Sequence, residues 1–308
     1  MDQLQIFSPA TVANVSCGYD AMAFALESLG DEMTFRKNDL GKTRIVKIEG
    51  ADLPFESNKN VAAAVAKRML QDAGANFGVD IEIVKKYKPG SGLGSSAASG
   101  AGAAFAINQL LNNRYTKLEQ LKYAMFGEEV ACGSQIADNV AAALYGGFVL
   151  IRSYEPLDIV SIPTPSQLFV TVIHPQIEIK TEDARNILPK EIPMKTAISQ
   201  WANVGGLIAG LHSSDYDLIG RSLTDHVVEP YRKKFIPHFD ALKRAALDHG
   251  ALGAGISGSG PSVFALVKGA EMAEKIAAAF NEVYKDSAID YRIYTSGIAK
   301  TGITLSNE

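Results

Sequence analysis

A chain of 308 residues with 47% hydrophobic content holds material for one large core or two modest ones, and its length favours two domains. The formal net charge of −4 leaves no basic stripe, which argues against nucleic acid as a partner but allows a local basic pocket for a nucleotide. Cys17 and Cys132 are the only cysteines, and Met1-Asp2-Gln3 leads into no long apolar run. No disulfide framework, signal peptide or membrane span is therefore expected, and a cytoplasmic protein without membrane partners is.

In chain order, Leu4 to Phe7 reads as a strand that leaves for a loop at Ser8-Pro9. Asn14 to Asp20 is small and polar around Gly18, and Ala21 to Leu26 reads as a helix or an apolar strand. Asn14 and Asp20 are residue types common in turns and caps. Asn60 to Ala73 is an amphipathic helix with Val61, Val65 and Met69 at four-residue spacing, Asn60 at its N-cap and Gly74 to stop it. Val79, Ile81 and Ile83 alternate with polar neighbours as in a half-buried strand.

After that strand runs Gly90 to Gly102, G-S-G-L-G-S-S-A-A-S-G-A-G, which opens an Ala-rich helix from Ser95 to Leu111. Glycine allows close approach of backbone to a ligand, and the N–H groups of a first helical turn suit phosphate. Ser95 and Ser96 fall where a helix takes its N-cap, so their hydroxyls can serve those N–H groups or turn outward to phosphate or metal. Neither G-x-G-x-x-G nor the Walker pattern fits, and a flexible turn before a close-packed helix is the competing explanation.

Thr116-x-x-Glu119 is a capping box for the next helix, where Glu128 and Glu129 lie on opposite margins of the apolar stripe, with Ala124 and Ala131 moving it toward Glu128. Ala137-Asp138-Asn139-Val140 leads a short helix that stops at Gly146-Gly147. Phe148 to Arg152 reads as a strand, and Tyr154-Glu155-Pro156 as the crossing between a domain of residues 1–155 and one of residues 156–308. Strands at Leu168 to Ile173 and Ser262 to Val267 alternate with helices at Thr181 to Asn186, from Pro193 through Trp201, and at Glu271 to Phe280, giving an α+β layer.

Gly90 to Ala98 resembles the glycine loop of the GHMP kinases, which include galactokinase, homoserine kinase, mevalonate kinase and phosphomevalonate kinase. Pro9-Ala10-Thr11-Val12-Ala13-Asn14 and Gly255 to Ser262 resemble the other two motifs of that family, in the right order. Within it the likeness is closest to the homoserine kinases. The resemblance implies an α+β fold of two domains, the first like domain 2 of ribosomal protein S5 and the second ferredoxin-like, with the site in the cleft between them.

It also implies ATP and Mg²⁺ as cofactors. Gly90, Ser91, Gly92, Leu93, Gly94, Ser95, Ser96, Ala97 and Ala98 would hold the triphosphate, Asn60 would lie near the adenine, and Ser96 with Glu128 would bind the metal. Asn14 and Asp20 match the family segment A-N-L-G-P-G-F-D, with Ser16 and Cys17 standing where Gly and Pro are usual. Thr181 and Arg185 match T-x-E-A-R, Arg232 matches E-P-x-R, and Gly258 lies in the late glycine turn. Asn139 stands where mevalonate kinase and galactokinase relatives carry an Asp thought to act as base, and Ile136 where many homoserine kinases have His.

The chemistry expected is phosphorylation of the hydroxyl of L-homoserine, on the way to threonine. Positioning and charge neutralisation carry most of such a reaction. Asp20 would take the ammonium group, Arg185 and Arg232 the carboxylate, and Asn14 and Asn139 the hydroxyl end. Because an amide is no base, the proton would pass to a phosphate oxygen or to water, with Asp138 as the alternative acceptor. The rivals are another small-molecule kinase of the family, for mevalonate or a sugar, and a non-catalytic nucleotide-binding protein on the same fold. Lack of a Gly-Glu-His run after the first motif and of Asp at 139 argues against the former, and retention of Ser96 and Glu128 against the latter. A homodimer stays open.

Overall fold

The computed structural model describes residues 1–306. The first half runs β1 (Gln3–Ala13), β2 (Met22–Asn38), β3 (Thr43–Glu49), α1 (Val61–Asp72), β4 (Gly78–Val84), α2 (Ser95–Leu110), α3 (Lys117–Cys132), α4 (Asp138–Tyr145), β5 (Phe148–Tyr154) and β6 (Leu157–Ile162). The second runs β7 (Leu168–Pro175), α5 (Thr181–Asn186), α6 (Met194–Ser213), α7 (Tyr216–Ser222), α8 (Glu229–Arg232), α9 (Phe239–Asp248), β8 (Gly253–Ile256), β9 (Val263–Lys268), α10 (Ala270–Tyr284), β10 (Tyr291–Gly297) and β11 (Thr304–Leu305). No helix among the described residues is long and apolar enough to cross a membrane.

Two sheets result. The first has the order β11-β1-β2-β4-β3, with β5 on β2 and β6 on β5; the second has the order β10-β7-β9-β8 and is antiparallel throughout. The second sheet with its crossing helices is the ferredoxin-like arrangement. Period-two alternation sorts its side chains: Leu168, Val170, Val172, Phe264 and Leu266 face the core between the sheets, while Ile173, Val263, Ala265 and Val267 face α9 and α10. On the first sheet Met22, Phe24 and Leu26 meet that same inter-sheet core, while Ala23, Met33 and Phe35 pack under α1 to α4. The two halves are thus joined by a shared apolar layer.

Two sequence expectations about the strands are corrected, and one left open between helix and strand is resolved. Strand β1 does not stop at Pro9 but continues to Ala13, because the pairing with β2 shifts register between Pro9 and Thr11. Such a bulge tolerates a residue without an N–H. Of the two options for Ala21 to Leu26, the strand is realised, as the start of β2. The turn at Tyr154-Glu155-Pro156 does not cross to a second domain: it joins β5 to β6, which pair antiparallel from Phe148–Ile162 to Tyr154–Leu157, so the chain leaves the first sheet only after Ile162.

The expected helix N-cap at Ser95 or Ser96 moves one place earlier. Gly94 is the N-cap of α2, left-handed at φ 66°, and α2 has no side-chain cap. Its neighbour Gly92, at φ 78°, lies so close to the late turn that a Cβ would stand 2.6 Å from the Ser257 carbonyl oxygen and 2.7 Å from that of Gly260. Ser257 Oγ donates to the Gly92 carbonyl (2.7 Å), and Ser262 Oγ to that of Ser91 (2.6 Å). Gly92→Ala is expected to lose at least about 1–2 kcal/mol from the left-handed backbone alone, with more from the contact. Urea unfolding measures it, and wild-type stability in the variant would show that the loop is not held against the turn.

Candidate active site

The glycine loop, the late turn and the segment from Asn14 to Asp20 enclose a cavity of about 420 Å³, whose walls also include Asn60, Lys85, Glu128, Asp138, Asn139, Arg185 and Arg232. One end is the N-terminus of α2. Because no side chain caps it, the first-turn N–H groups face the cavity without an intrahelical partner, as a phosphate site requires. Gly90, Ser91, Gly92, Gly94, Ser95 and Ser96 line the wall, whereas Leu93, Ala97 and Ala98 have fully buried side chains, and the N–H groups of Leu93 and Ala98 already serve Ser91 Oγ (3.3 Å) and the Gly94 carbonyl (2.8 Å).

Glu128 is the inward carboxylate of α3 and Glu129 the exposed one, as the stripe of that helix suggested. Burial pushes the Glu128 carboxyl from its ordinary 4.5 up to about 7; Ser96 and Lys85 oppose the shift and Asp138 adds to it. Its Oε1 is buried with no hydrogen-bond partner among the described residues. An orphaned carboxylate oxygen beside a serine hydroxyl at a phosphate-type helix end suits a hard cation. Asn60 caps α1, accepting from Ala63 N–H (3.3 Å) and donating to the Pro54 carbonyl (2.9 Å), but it is buried at 3% exposure on the cavity wall rather than solvated.

At the other end the backbone is strained: Asn14, Val15 and Ser16 run at φ 72°, 43° and 59°, and Asp20 at 54°. A β-branched residue there is uncommon and persists only where surrounding contacts hold it. Asn14 supplies such contacts, accepting from the Asp20 N–H (3.0 Å) and donating to the Gly258 carbonyl (2.8 Å). Its amide thus braces the Asp20 turn while standing on the cavity wall, with a second Nδ2 hydrogen beyond the one given to Gly258. Asp20 receives both ends of the Arg185 guanidinium at 3.0 Å. Arg232, only 3% exposed, donates to the carbonyls of Ala184 (2.8 Å) and Gly258 (3.1 Å). Thr181 begins α5, and its side chain lies outside the described residues.

Between the two ends sit Asn139 and Asp138, at the start of α4. Thr11 Oγ1 donates to Asn139 Oδ1 at 2.6 Å, while Asn139 Nδ2 points to Asp138 Oδ1 at 3.3 Å. The opposite amide orientation would set two acceptors face to face, so Asn139 offers the cavity a donor. Asp138 also accepts from the Asn139 N–H (2.6 Å). Burial raises its carboxyl from 3.8 to about 6, with Asp20 adding to the shift and Arg185 opposing it. Ile136, on the same wall, supplies no polar group.

Four residues of the site were not singled out from sequence. Thr11 fixes Asn139. Lys85 is buried under the first turn of α2, where its Nζ meets Asp31 Oδ2 (2.5 Å), the Ser95 carbonyl (2.8 Å) and Ser99 Oγ (2.8 Å). Asp225 accepts from the N–H groups of Val227 (2.8 Å), Val228 (3.0 Å) and Glu229 (2.8 Å), which sets α8 and so Arg232. Tyr19 touches both arginines.

The two raised carboxyls, Glu128 and Asp138, make folding favour proton uptake. A group whose folded pKa exceeds its unfolded value favours the fold at low pH, and this advantage fades as pH rises from about 4.5 through about 7 for Glu128. Buried His174, lowered from 6.5 to about 4, acts in the opposite sense, so a comparison with an isostere is needed. Without divalent cations, Glu128→Gln should gain on wild type by on the order of 3 kcal/mol between pH 5 and pH 8. Urea unfolding at both pH values checks this, and parallel pH profiles would refute the burial of an ionising Glu128.

Comparison with known proteins agrees with this geometry. Residues 60–147 match the family described as GHMP kinases N terminal domain, and residues 207–286 that described as GHMP kinases C terminal. Homoserine kinase of Chlorobium phaeobacteroides is 44% identical, with 98% of this chain and 99% of the relative covered. That of Chlorobaculum tepidum is 46% identical, with 96% of each covered. The crystal structure of homoserine kinase from Cytophaga hutchinsonii superposes with a TM-score of 0.95 at 50% identity, over 99% of this chain and 98% of that one.

Proposed function

This chain belongs to the GHMP kinases, and we propose that it transfers the terminal phosphoryl group of ATP to the side-chain hydroxyl of L-homoserine, giving O-phospho-L-homoserine for threonine synthesis in the cytoplasm. The observation that carries this reading is the polarity of one cavity: an uncapped helix N-terminus with Ser96 and Glu128 at one end, Asp20, Arg185 and Arg232 at the other. Residues 1–162 supply the first and most of the middle; the arginines come from the second half.

The free N–H groups of the glycine loop and the first turn of α2 would hold the triphosphate, with the Lys85 charge buried behind them. Ser96 and Glu128 would hold Mg²⁺, which would supply neutralisation of phosphate charge. Asp20 takes the substrate ammonium, and Arg185 with Arg232 its carboxylate. The Asn139 Nδ2 donates to the hydroxyl oxygen and orients it; this group cannot take the proton, which passes to a phosphate oxygen or water. A mevalonate or sugar kinase is disfavoured by the Asp20 carboxylate, which has no cation to meet in those substrates.

An ATP-turnover assay against homoserine, mevalonate, galactose and shikimate should show activity with homoserine alone. Arg185→Ala should raise its KM by about ten- to a hundredfold, the worth of a charge-assisted pair, and leave the KM for ATP within about twofold. Preference for another alcohol in the wild type would refute the substrate, and equal rises in both constants would point to distortion of the whole cleft.

One specific observation favours a second route for the proton: Asp138 lies on the cavity wall beside Asn139, and burial raises its carboxyl, with Asp20 adding to the shift and Arg185 opposing it. Asp138→Asn and Asn139→Ala are therefore compared in single-turnover experiments. Orientation alone predicts a modest slowing, about tenfold or less, in both. Loss of the chemical step in the Asp138 variant only, with binding and folding kept, would make Asp138 the base.

A further inference from the structure

The two arginines at the substrate end are like charges held side by side, and Tyr19 stands between them. Its hydroxyl accepts from Arg185 Nη1 (3.3 Å) and from Arg232 Nη2 (3.3 Å). The Tyr19 ring centre lies 5.9 Å from the first guanidinium and 5.0 Å from the second, within the range of a cation–π contact. Yet among the described residues that line the cavity Tyr19 is absent, while both arginines are present. The phenol therefore touches both guanidiniums without itself lining the cavity.

The donors of each arginine can be counted. A guanidinium has five N–H groups. On Arg185, Nη1 serves Asp20 Oδ2 and the Tyr19 hydroxyl, and Nη2 serves Asp20 Oδ1, so Nε and one Nη2 hydrogen have no partner among the described residues. On Arg232, Nε serves the Ala184 carbonyl, Nη1 the Gly258 carbonyl and Nη2 the Tyr19 hydroxyl. Asp20 sets the plane of Arg185 and the two carbonyls that of Arg232; the Tyr19 hydroxyl is the one acceptor the two planes share, and it takes one Nη hydrogen from each, which decides the hydrogens that remain for a carboxylate. Burial and Asp20 raise the phenol pKa above 10, which keeps it a neutral acceptor.

We propose that Tyr19 is a positioning residue that sets the two-arginine clamp, and through it the preference for a substrate bearing a free carboxylate. A phenylalanine at this place would keep the ring and lose the shared acceptor; Arg185 would stay on Asp20 and Arg232 on its two carbonyls, but the two cations would face each other without an oxygen between them and the clamp would loosen. Selectivity for the carboxylate would fall before catalysis does.

The inference rests on homoserine as the substrate, and its test separates the two. Steady-state constants are measured for wild type, Tyr19→Phe and Tyr19→Leu with L-homoserine and with L-homoserinamide, whose neutral carboxamide replaces the carboxylate. Tyr19→Phe should raise the KM for homoserine about five- to tenfold, leave kcat and the KM for ATP within about twofold, and leave kcat/KM for the amide nearly unchanged. The acid-to-amide ratio then falls by the same factor, and Tyr19→Leu, lacking the ring as well, lowers it further. An unchanged ratio, or equal losses with acid and amide, would overturn the clamp role even if wild type is fully active. A wild type inert toward homoserine would instead remove the substrate reading, and this inference with it.

Discussion

The contact on which the site depends is the one between the glycine loop of the first half and the glycine turn of the second. Gly92 approaches the Ser257 and Gly260 carbonyls more closely than any side chain allows, and Ser257 and Ser262 spend their hydroxyls on the carbonyls of Gly92 and Ser91. Those hydrogen bonds hold the carbonyls of the loop toward the second half. The N–H groups are thereby left for the cavity, and the uncapped start of α2 becomes usable. Gly258 closes the same turn and takes donors from Asn14 and Arg232, so one glycine turn orients the phosphate end and the substrate end together.

A second constraint lies beneath the loop. Asp31 and Lys85 are buried, and the Lys85 ammonium also ties the Ser95 carbonyl and Ser99 hydroxyl of α2. Removing both charges from water costs several kcal/mol per ion, which the pair offsets only through close geometry and further hydrogen bonds. Asp31 Oδ1 has no partner among the described residues, and burial raises its pKa despite Lys85. As a stability device this is poor. As a way to hold a positive charge immediately behind an anion site it is effective, because the low local dielectric strengthens its pull on phosphate.

Much of this was legible in the residues, and the failures have physical causes. Glycine spacing, the capping box at Thr116 and the stripe of α3 reported local geometry, so loop, helix and the inward Glu128 were found where expected. The Asp31–Lys85 pair is legible from alternation: Asp31 follows the face of Met33 and Phe35 on β2, and Lys85 that of Ile81 and Ile83 on β4 and its continuation. With Glu32 opposite Val84, the next step along the two strands sets Asp31 against Lys85. The hairpin at Tyr154-Glu155-Pro156 is not legible in the same way, since turn chemistry alone does not say whether the chain returns to the same sheet. Which atoms of Asn14 and Arg232 remain free is likewise set by partners distant in sequence, 244 residues away for Asn14 and Gly258.

The pairing of Asp20 with Arg185 bears on how such a site tells substrates apart. In the structure Asp20 and Arg185 already compensate each other, whereas Arg232 meets only the neutral oxygens of Ala184, Gly258 and Tyr19. A zwitterionic amino acid brings one ammonium and one carboxylate, and can insert between Asp20 and the arginines while leaving every charge compensated. A hydroxy acid brings only the carboxylate; it would draw Arg185 from Asp20 and strand that carboxylate near Asp138, which already resists ionising. Rejection then comes from the group left unpaired rather than from a missing contact, which is the stronger form of discrimination.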